Sequence, residues 1–320
     1  VFCAQSNTSV IPFSGSILGS NYHWINDTSA IGLGLNGVGE IAPFLALNPD
    51  SIPLVANIIV TPEIAGCYGA SDTFLITINP FPIAYVPDDT VLCANQNTDT
   101  YNFSSSVLGA TYSWVNNNTS TGLPSTGNGP VTSFLTQNIT TSPIISDVSV
   151  TPIANGCSGD PVLFSITVNP LPYPDAGPDQ VICFGDSILL NIIGTDQYIW
   201  NDSINNNSVI QLSSLGINEF VVEASDLNNC QNTDTVLIDV VEPPVSSFTS
   251  DVTEGLTILT VNFSNTSLNS NSFQWDFDNG TSYSVNDLSP QTSDFIDLGD
   301  YSVMLVASNG ICTDTSVLLI

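Results

Sequence analysis

The sequence predicts an all-β protein, a tandem series of β-sandwich modules in an extended rod, and two observations carry this prediction. Apolar and polar residues alternate in short runs such as Phe74–Asn79, Phe164–Asn169 and Tyr301–Leu305, which is the pattern of half-buried strands. Clusters of Asn, Gly, Ser, Thr and Asp separate these runs and favour turns, and no segment has a convincing helical period. Many short strands in units of about 70–90 residues are typical of β-sandwiches.

An ungapped internal repeat organises the first half of the chain. When the sequence is shifted by 90, 32 of the 80 positions from Cys3 to Pro82 are identical to their counterparts from Cys93 to Pro172. Two copies of one domain type explain this match. The second copy is preceded by Ile83–Thr90, for which the first copy has no counterpart. We therefore expect the chain to open inside a module.

The repeat, the positions of the cysteines and the spacing of the tryptophans predict four modules, each with one tryptophan. They are predicted at 1–82 (an Ig-like repeat, truncated at its start), 83–172 (its second copy), 173–243 (a shorter Ig-like module) and 244–320 (a fourth, truncated at its end). The joints are rich in proline, at Asn79–Pro82, Asn169–Pro174 and Glu242–Pro244. Such segments act as semi-rigid spacers, and this favours a rod.

The charge composition excludes several functions. The chain has 30 Asp and Glu, no Lys or Arg, and a formal net charge of −30. Nucleic-acid binding and binding to anionic membrane surfaces both need basic residues. Schiff-base chemistry needs a lysine, and bidentate clamping of phosphate or carboxylate needs an arginine. No apolar run reaches the roughly 18 residues of a membrane span, so we expect no direct membrane insertion.

We do not expect an enzyme. His23 is the one histidine, and its repeat counterpart is Ser113, so a catalytic triad would lack its base in the second copy. Glutamate is scarce, and nothing in the pattern implies a pocket with the paired carboxylates of a glycosidase. The tryptophans, one in each module, suit core anchors on central strands, with sugar stacking as the alternative.

Seven cysteines in this polar chain indicate an oxidising, extracellular compartment. The simplest pairing is within modules and leaves Cys312 unpaired; it joins Cys3 to Cys67, Cys93 to Cys157, and Cys183 to Cys230. Each such bridge would close a loop of roughly 50–65 residues and stabilise its module by about 4 kcal/mol in the chain-entropy model.

Two of the predicted modules, the third and the fourth, resemble modules of bacterial surface proteins. Trp275–Gly280 and Gly299–Val306 resemble the signature and the later strand of PKD domains, although Asp278 and Asn279 stand where that family usually has Gly-Asp. Asp175–Asp179, leading into Cys183, looks like the Ig-like repeats of adhesins exported by type IX secretion. Together these two modules are similar to the repeat region of SprB-like gliding-motility adhesins. This resemblance implies a cell-surface filament that grips an extracellular substratum or polysaccharide.

The same resemblance implies several sites. Exported proteins of this kind carry O-linked glycans at Asp-Ser or Asp-Thr before a small or aliphatic residue, a pattern found at Ser51, Thr90, Ser187, Ser203 and Thr235. Related modules often have a cysteine at the place of Leu256, where it would pair with the counterpart of Cys312.

Calcium is the one ion for which the sequence offers candidate ligands, and no other cofactor is expected. Asp276 and Asp278 resemble the start of a calcium loop, with turn capping by Asx side chains as the alternative. Asp88, Asp89, Asp175 and Asp179 lie at module joints, where calcium could stiffen a rod.

The sequence thus favours a structural stalk segment of a large secreted surface adhesin, with neighbouring modules of the same chain as its permanent partners. Three alternatives stay open: a carbohydrate-binding module, a spacer of a secreted hydrolase, and a self-assembling filament subunit.

Protection from trypsin-like proteases would explain the absence of Lys and Arg. We expect prolonged incubation with trypsin to leave the intact mass unchanged. Fragmentation of the chain in that mass spectrum would contradict this interpretation.

Overall fold

The computed structural model describes residues 1–194, 197–201, 204–205 and 207–320. These residues form short β-strands joined by turns, and they include two single 3₁₀ turns, at Ser29–Ile31 and Thr119–Thr121. The sheets pack around four separate hydrophobic clusters along the chain. The predicted fold class, all-β with tandem β-sandwich modules, is confirmed. The chain divides into two compact units, 1–171 and 172–320.

The first module of unit 1 has one main sheet. Its strands are β1 Phe2–Cys3, β2 Asn21–Asn26, β3 Asn36–Val38, β4 Leu54–Ile64, β5 Cys67–Tyr68 and β6 Asp72–Asn79. The sheet order is β1-β6-β4-β2-β3, with β5 beside β4. A second layer consists of two segments that meet through the bridges Asn7–Leu45 and Ile11–Ile41. The core lies between the layers.

The second module repeats this arrangement. Its strands are β7 Ala84–Tyr85, β8 Thr90–Cys93, β9 Ser104–Ser105, β10 Thr111–Asn116, β11 Thr126–Asn128, β12 Ile144–Ala154, β13 Cys157–Ser158 and β14 Val162–Asn169. The sheet order β11-β10-β12-β14-β8 matches that of the first module, with β13 beside β12. The pair β7-β9 is an addition, because β7 belongs to the connecting segment before the repeat.

Unit 2 contains two further pairs of sheets. Its first six strands are β15 Gln180–Cys183, β16 Ser187–Leu190, β17 Tyr198–Trp200, β18 Ser208–Gln211, β19 Gly216–Ser225 and β20 Gln231–Val241. They form the sheets β15-β20-β19-β17 and β16-β18 around one core. The others are β21 Phe248–Ser250, β22 Leu259–Asn265, β23 Ser272–Asp276, β24 Ser282–Val285, β25 Gln291–Phe295, β26 Ser302–Ser308 and β27 Thr313–Leu319. They form β21-β22-β25 and β24-β23-β26-β27 around another.

All four tryptophans are core residues. Trp24, Trp114, Trp200 and Trp275 are each at least 93% buried, so none of them offers a platform for sugar stacking. A glycine of the internal repeat lies beside the first of these rings. Gly37 lies opposite Trp24 across β2 and β3, and a Cβ atom at Gly37 would overlap the indole. The repeated glycine at this place therefore makes room for the ring.

Replacement of Gly37 by alanine should force the Trp24 ring from its position. We expect Gly37→Ala to lower the free energy of unfolding by about 1–3 kcal/mol, the usual cost of overpacking a core. Gly34→Ala is the matched control, because a Cβ at Gly34 meets no atom closer than 3.9 Å. Denaturant unfolding followed by tryptophan fluorescence measures both variants. Equal stability of the two would contradict the packing argument.

Candidate functional site at the module ends

The first strand of a module runs parallel to its last strand, and this pairing places the first cysteine. In the first module β1 lies beside β6, with Cys3 opposite Asn79. In the second, β8 lies beside β14, with Cys93 opposite Asn169. The shorter module of unit 2 repeats the pattern with β15 and β20. Each first cysteine therefore lies where the last strand leaves for the next module, which we call the trailing end.

The second cysteine lies at the opposite end of the same module, which we call the leading end. Cys67 begins β5 and lies opposite Ile64, beyond the start of β6. Cys3 lies beside the last residue of β6, a strand of 8 residues that spans roughly 25 Å. A disulfide requires Cα atoms within about 7 Å. A bridge within one module is therefore geometrically excluded.

The bridges join different modules. Cys3 is bonded to Cys157 with a Cα–Cα distance of 5.6 Å, and Cys183 is bonded to Cys312 with a distance of 5.7 Å. Cys93 and Cys230 are also disulfide-bonded. Cys67 is free and exposed.

The sequence-based pairing is thus wrong in each of its parts. The structure does not form the bonds Cys3–Cys67, Cys93–Cys157 and Cys183–Cys230, and it pairs Cys312, which was expected to be free. The physical reason is the parallel first strand, which carries each first cysteine away from the second cysteine of its own module. Leu256, at the place of the missing cysteine, is 86% exposed.

A polar contact accompanies the bridge between the first two modules. The side-chain amide of Asn79, at the end of β6, donates to the carbonyl oxygen of Asn155 at 2.7 Å. Asn155 and Gly156 form the tight turn before Cys157, both with positive φ. Close by, a Cβ atom at Gly159 would overlap the carbonyl oxygen of Pro82. Glycine at this position therefore permits the hairpin of the second module to meet the connecting segment.

The joint within unit 2 has the same kind of hydrogen bond from an asparagine amide to a carbonyl oxygen. Here the asparagine lies in the hairpin of the later module instead of at the end of the earlier one. Asn309, in the hairpin that carries Cys312, accepts from the Cys312 N–H at 2.8 Å. Its side-chain amide donates to the carbonyl oxygen of Glu242, at the end of the shorter module, at 3.0 Å. At both joints, therefore, an asparagine amide and a disulfide together hold a hairpin against the end of the preceding module.

Carboxylates at the joints accept hydrogen bonds from backbone N–H groups. Asp89 accepts from Ser165 at 2.7 Å, and Asp179 accepts from Leu237 at 2.8 Å. Asp175 accepts from Gly177 at 2.9 Å, within its own turn, while Asp88 is exposed. Within the part of the chain that the structure describes, no group of three or more His, Cys, Asp or Glu residues could hold a metal ion.

The calcium-like sequence of the fourth module forms a hydrogen-bonded turn. Asp276 accepts from the Asp278 N–H at 3.0 Å, and Asp278 accepts from the Ser302 N–H at 3.0 Å. Asn279 accepts from the Thr281 N–H at 3.1 Å. This is the Asx-type capping that the sequence offered as the alternative to calcium.

The candidate glycosylation residues differ in accessibility. Ser51, Ser187 and Thr235 are exposed. Thr90 lies in β8 with its hydroxyl oxygen buried, which makes it unsuitable for attachment in the folded module. Ser203 lies outside the described residues. Glycosylation itself stays a prediction.

His23 lies near the hairpin that carries Cys67. Its Nε2 is 3.6 Å from Glu63 Oε2. The Gly66 N–H donates to Glu63 Oε1 at 2.6 Å, and this bond, followed by the contact with His23, lowers the pKa of Glu63. His23 lies in β2 and Glu63 in β4, and the interpretation of His23 as incidental to catalysis stays a prediction.

The asparagines that flank the bridges were not predicted from the sequence. Asn79 and Asn169 occupy the same place in the two copies, directly before the proline-rich joints. This repetition is the signal that could have marked the trailing end as a contact surface. Nothing comparable in the sequence marks Asn309, because the fourth module is not a copy of the others.

None of the described helical segments is long and apolar enough to cross a membrane. No protein-family model matches the chain, and no curated protein matches it. The resemblance to PKD domains and to SprB-like adhesins therefore stays an interpretation of the residues quoted for it.

Several solved structures are similar to the chain. The human desmocollin-1 ectodomain is 13% identical, with a TM-score of 0.32 over 100% of this chain and 77% of that one. Domains EC1-4 of Drosophila N-cadherin are 12% identical, with a TM-score of 0.27 over 99% and 97%. The insect immune protein hemolin is 13% identical, with a TM-score of 0.29 over 99% and 96%. At these values the likeness carries no conclusion about function, and the fold assignment depends on the chain's own sheets.

Removal of the bridge between the first two modules should destabilise their joint. The cysteines are 154 positions apart, so the chain-entropy model gives the bridge about 5 kcal/mol. We expect the double variant Cys3→Ser/Cys157→Ser to lower the midpoint of thermal unfolding of unit 1. Cys67→Ser is the control and should leave this midpoint unchanged, since Cys67 has no bond. Non-reducing mass spectrometry that found Cys3 bonded to Cys67 would refute the arrangement.

Proposed function

We propose that this chain is a structural, force-bearing segment of an extracellular adhesive stalk. The observation that carries the proposal is that disulfides join consecutive modules instead of closing single ones. A bridge inside a module would protect that module alone. A bridge between modules adds a second covalent connection to the proline-rich joint.

The bridges shorten the covalent path along which tension would travel. A pull on the two termini passes from Cys3 to Cys157 and from Cys183 to Cys312 through sulfur. The backbone under load then consists of residues 1–3, 157–183 and 312–320. The loops that the bridges close, with separations of 154 and 129, carry no tension while the bonds are intact.

Composition supports an extracellular setting. Disulfides persist in oxidising compartments, and the absence of Lys and Arg removes every trypsin-type cleavage site. The negative charge on all modules also opposes collapse of one on another. The chain has no catalytic role in this proposal. Attachment to the cell surface, export by type IX secretion, a part in gliding and adhesion to a substratum or polysaccharide extend it, on the strength of the residue resemblance alone.

The bridges should limit the extension of a single molecule under force. Pulled from its termini, the oxidised chain should lack the extension stored in the two closed loops, roughly 50 and 45 nm at full stretch. Reduction should release both lengths. Force spectroscopy with and without reductant makes this measurement.

Two variants give the matched control. Without reductant, Cys3→Ser/Cys157→Ser and Cys183→Ser/Cys312→Ser should each extend further than the wild-type chain and less far than the reduced chain, because the bonds of Cys93 and Cys230 stay intact. If the oxidised wild-type chain already extends by the full contour of its modules at low force, the force-bearing proposal fails.

A further inference from the structure

The leading end of the first module has an open groove. It has a volume of about 770 Å³, and its lining includes Phe13, Ser14, Gly15, Tyr22, Pro62 and Cys67. These residues come from one module of unit 1, and they combine aromatic side chains with an unpaired edge of backbone. The internal repeat shows what this surface holds in the second copy.

In the second module a connecting strand fills the corresponding place. β7 pairs with β9, so that Ala84 lies opposite Ser105 and Tyr85 opposite Ser104. Ser106 donates its N–H to the Ile83 carbonyl oxygen at 3.0 Å and accepts from the Ile83 N–H at 3.0 Å. Two positions of this edge, Ser104 and Ser106, are also serine in the first module, at Ser14 and Ser16. The first module thus keeps the edge but holds no strand against it.

The connecting strand also buries apolar surface in the second module. Ala84 is 3% exposed, and Val86 packs against that module's core. Val107, near the strand, is 3% exposed, whereas its counterpart Ile17 in the first module is 58% exposed. The difference indicates a surface shaped to be covered.

The free thiol of the first module has a bonded counterpart as well. Cys157 is 1% exposed and bonded to Cys3, whereas Cys67, at the same place in the first module, is exposed and free. Gly159, which meets Pro82 in the second module, corresponds to Gly69 in the lining of the groove. Both copies have the strand edge, the apolar surface beside it, the glycine and the cysteine. The first copy differs in that no strand lies against its edge and its cysteine has no bond.

We propose that the groove and Cys67 accept a further module of the same repeat. Its connecting strand lies along Ser14–Ser16, and the cysteine on its first strand bonds to Cys67. The inference rests on the stalk function proposed above and names the partner of its leading end. A second copy of the present chain does not fit as donor, because Cys3, Cys93 and Cys183 are already bonded.

The covalent step is thiol–disulfide exchange. Cys67 and the donor cysteine lose one proton each and together two electrons, and their sulfurs form one bond. The electrons and protons reduce a disulfide of the glutathione or oxidoreductase class to two thiols. Oxidising compartments supply such a disulfide.

The strand site is tested on the full chain with an added segment. A variant that carries a second copy of residues 80–90 directly before Val1 should unfold at a temperature higher by roughly 5 °C. Amide exchange at Ser14–Ser16 should also slow. The control carries the same addition with aspartate in place of Ala84 and Val86 of the added copy, and should show neither effect. Equal unfolding temperatures for the two variants would overturn the proposal.

A labelled peptide of residues 80–90 tests the same site without a change to the chain. It should bind the oxidised protein at physiological salt, and Ile17→Asp should weaken binding by at least about tenfold. Binding that Ile17→Asp leaves unchanged would place the peptide elsewhere and reject the groove.

The thiol is tested by a chain extended with a second copy of residues 1–90 in which the added counterpart of Cys67 is replaced by serine, so that the addition introduces no second free thiol at that position. Non-reducing mass spectrometry should find the added first-strand cysteine bonded to Cys67, and Cys67 should no longer react with maleimide. A reactive Cys67 in this variant, or groove-dependent dimers of the unextended chain in sedimentation, would overturn the inference. Either result leaves the force experiment untouched, because that experiment depends on the other two bridges.

Discussion

The parallel pairing of first and last strands is the constraint on which the rest of the structure depends. Antiparallel pairing at this edge would place both cysteines at one end and allow a bridge inside each module. Parallel pairing separates Cys3 from Cys67 by the length of β6. The cysteine at the trailing end can then bond only to a cysteine of a neighbouring module, so the disulfides connect consecutive modules.

The complete absence of Lys and Arg shapes how the modules are held. Within the described ranges the one acid–base pair is His23 with Glu63, so ion pairs contribute little. Carboxylates such as Asp89 and Asp179 accept from backbone N–H groups instead. Cohesion therefore comes from apolar cores, strand ladders, Asx turns and disulfides, none of which requires a basic residue.

Local features were predictable where the cause is local. The alternation in Phe74–Asn79 and its counterpart Phe164–Asn169 marked strands that the structure contains as parts of β6 and β14. Burial of Trp24 and Trp114 followed from their place in the repeat. The turn at Asp276 and Asp278 was among the alternatives, because Asx capping depends on neighbouring residues. The cysteine pairing could not be predicted from the sequence, since pairing within modules and pairing between modules both leave one of the seven cysteines unpaired.

The sequence by itself determined the all-β fold, the repeated module and the tryptophan cores, because alternation and periodicity act over short stretches of chain. The tertiary structure alone decided which sulfurs bond, that Asn79 and Asn309 hold the joints, and that the first module has an open groove. These depend on strand direction, which joins residues as far apart as Cys3 and Cys157. No local pattern records whether an edge strand runs parallel or antiparallel to its neighbour.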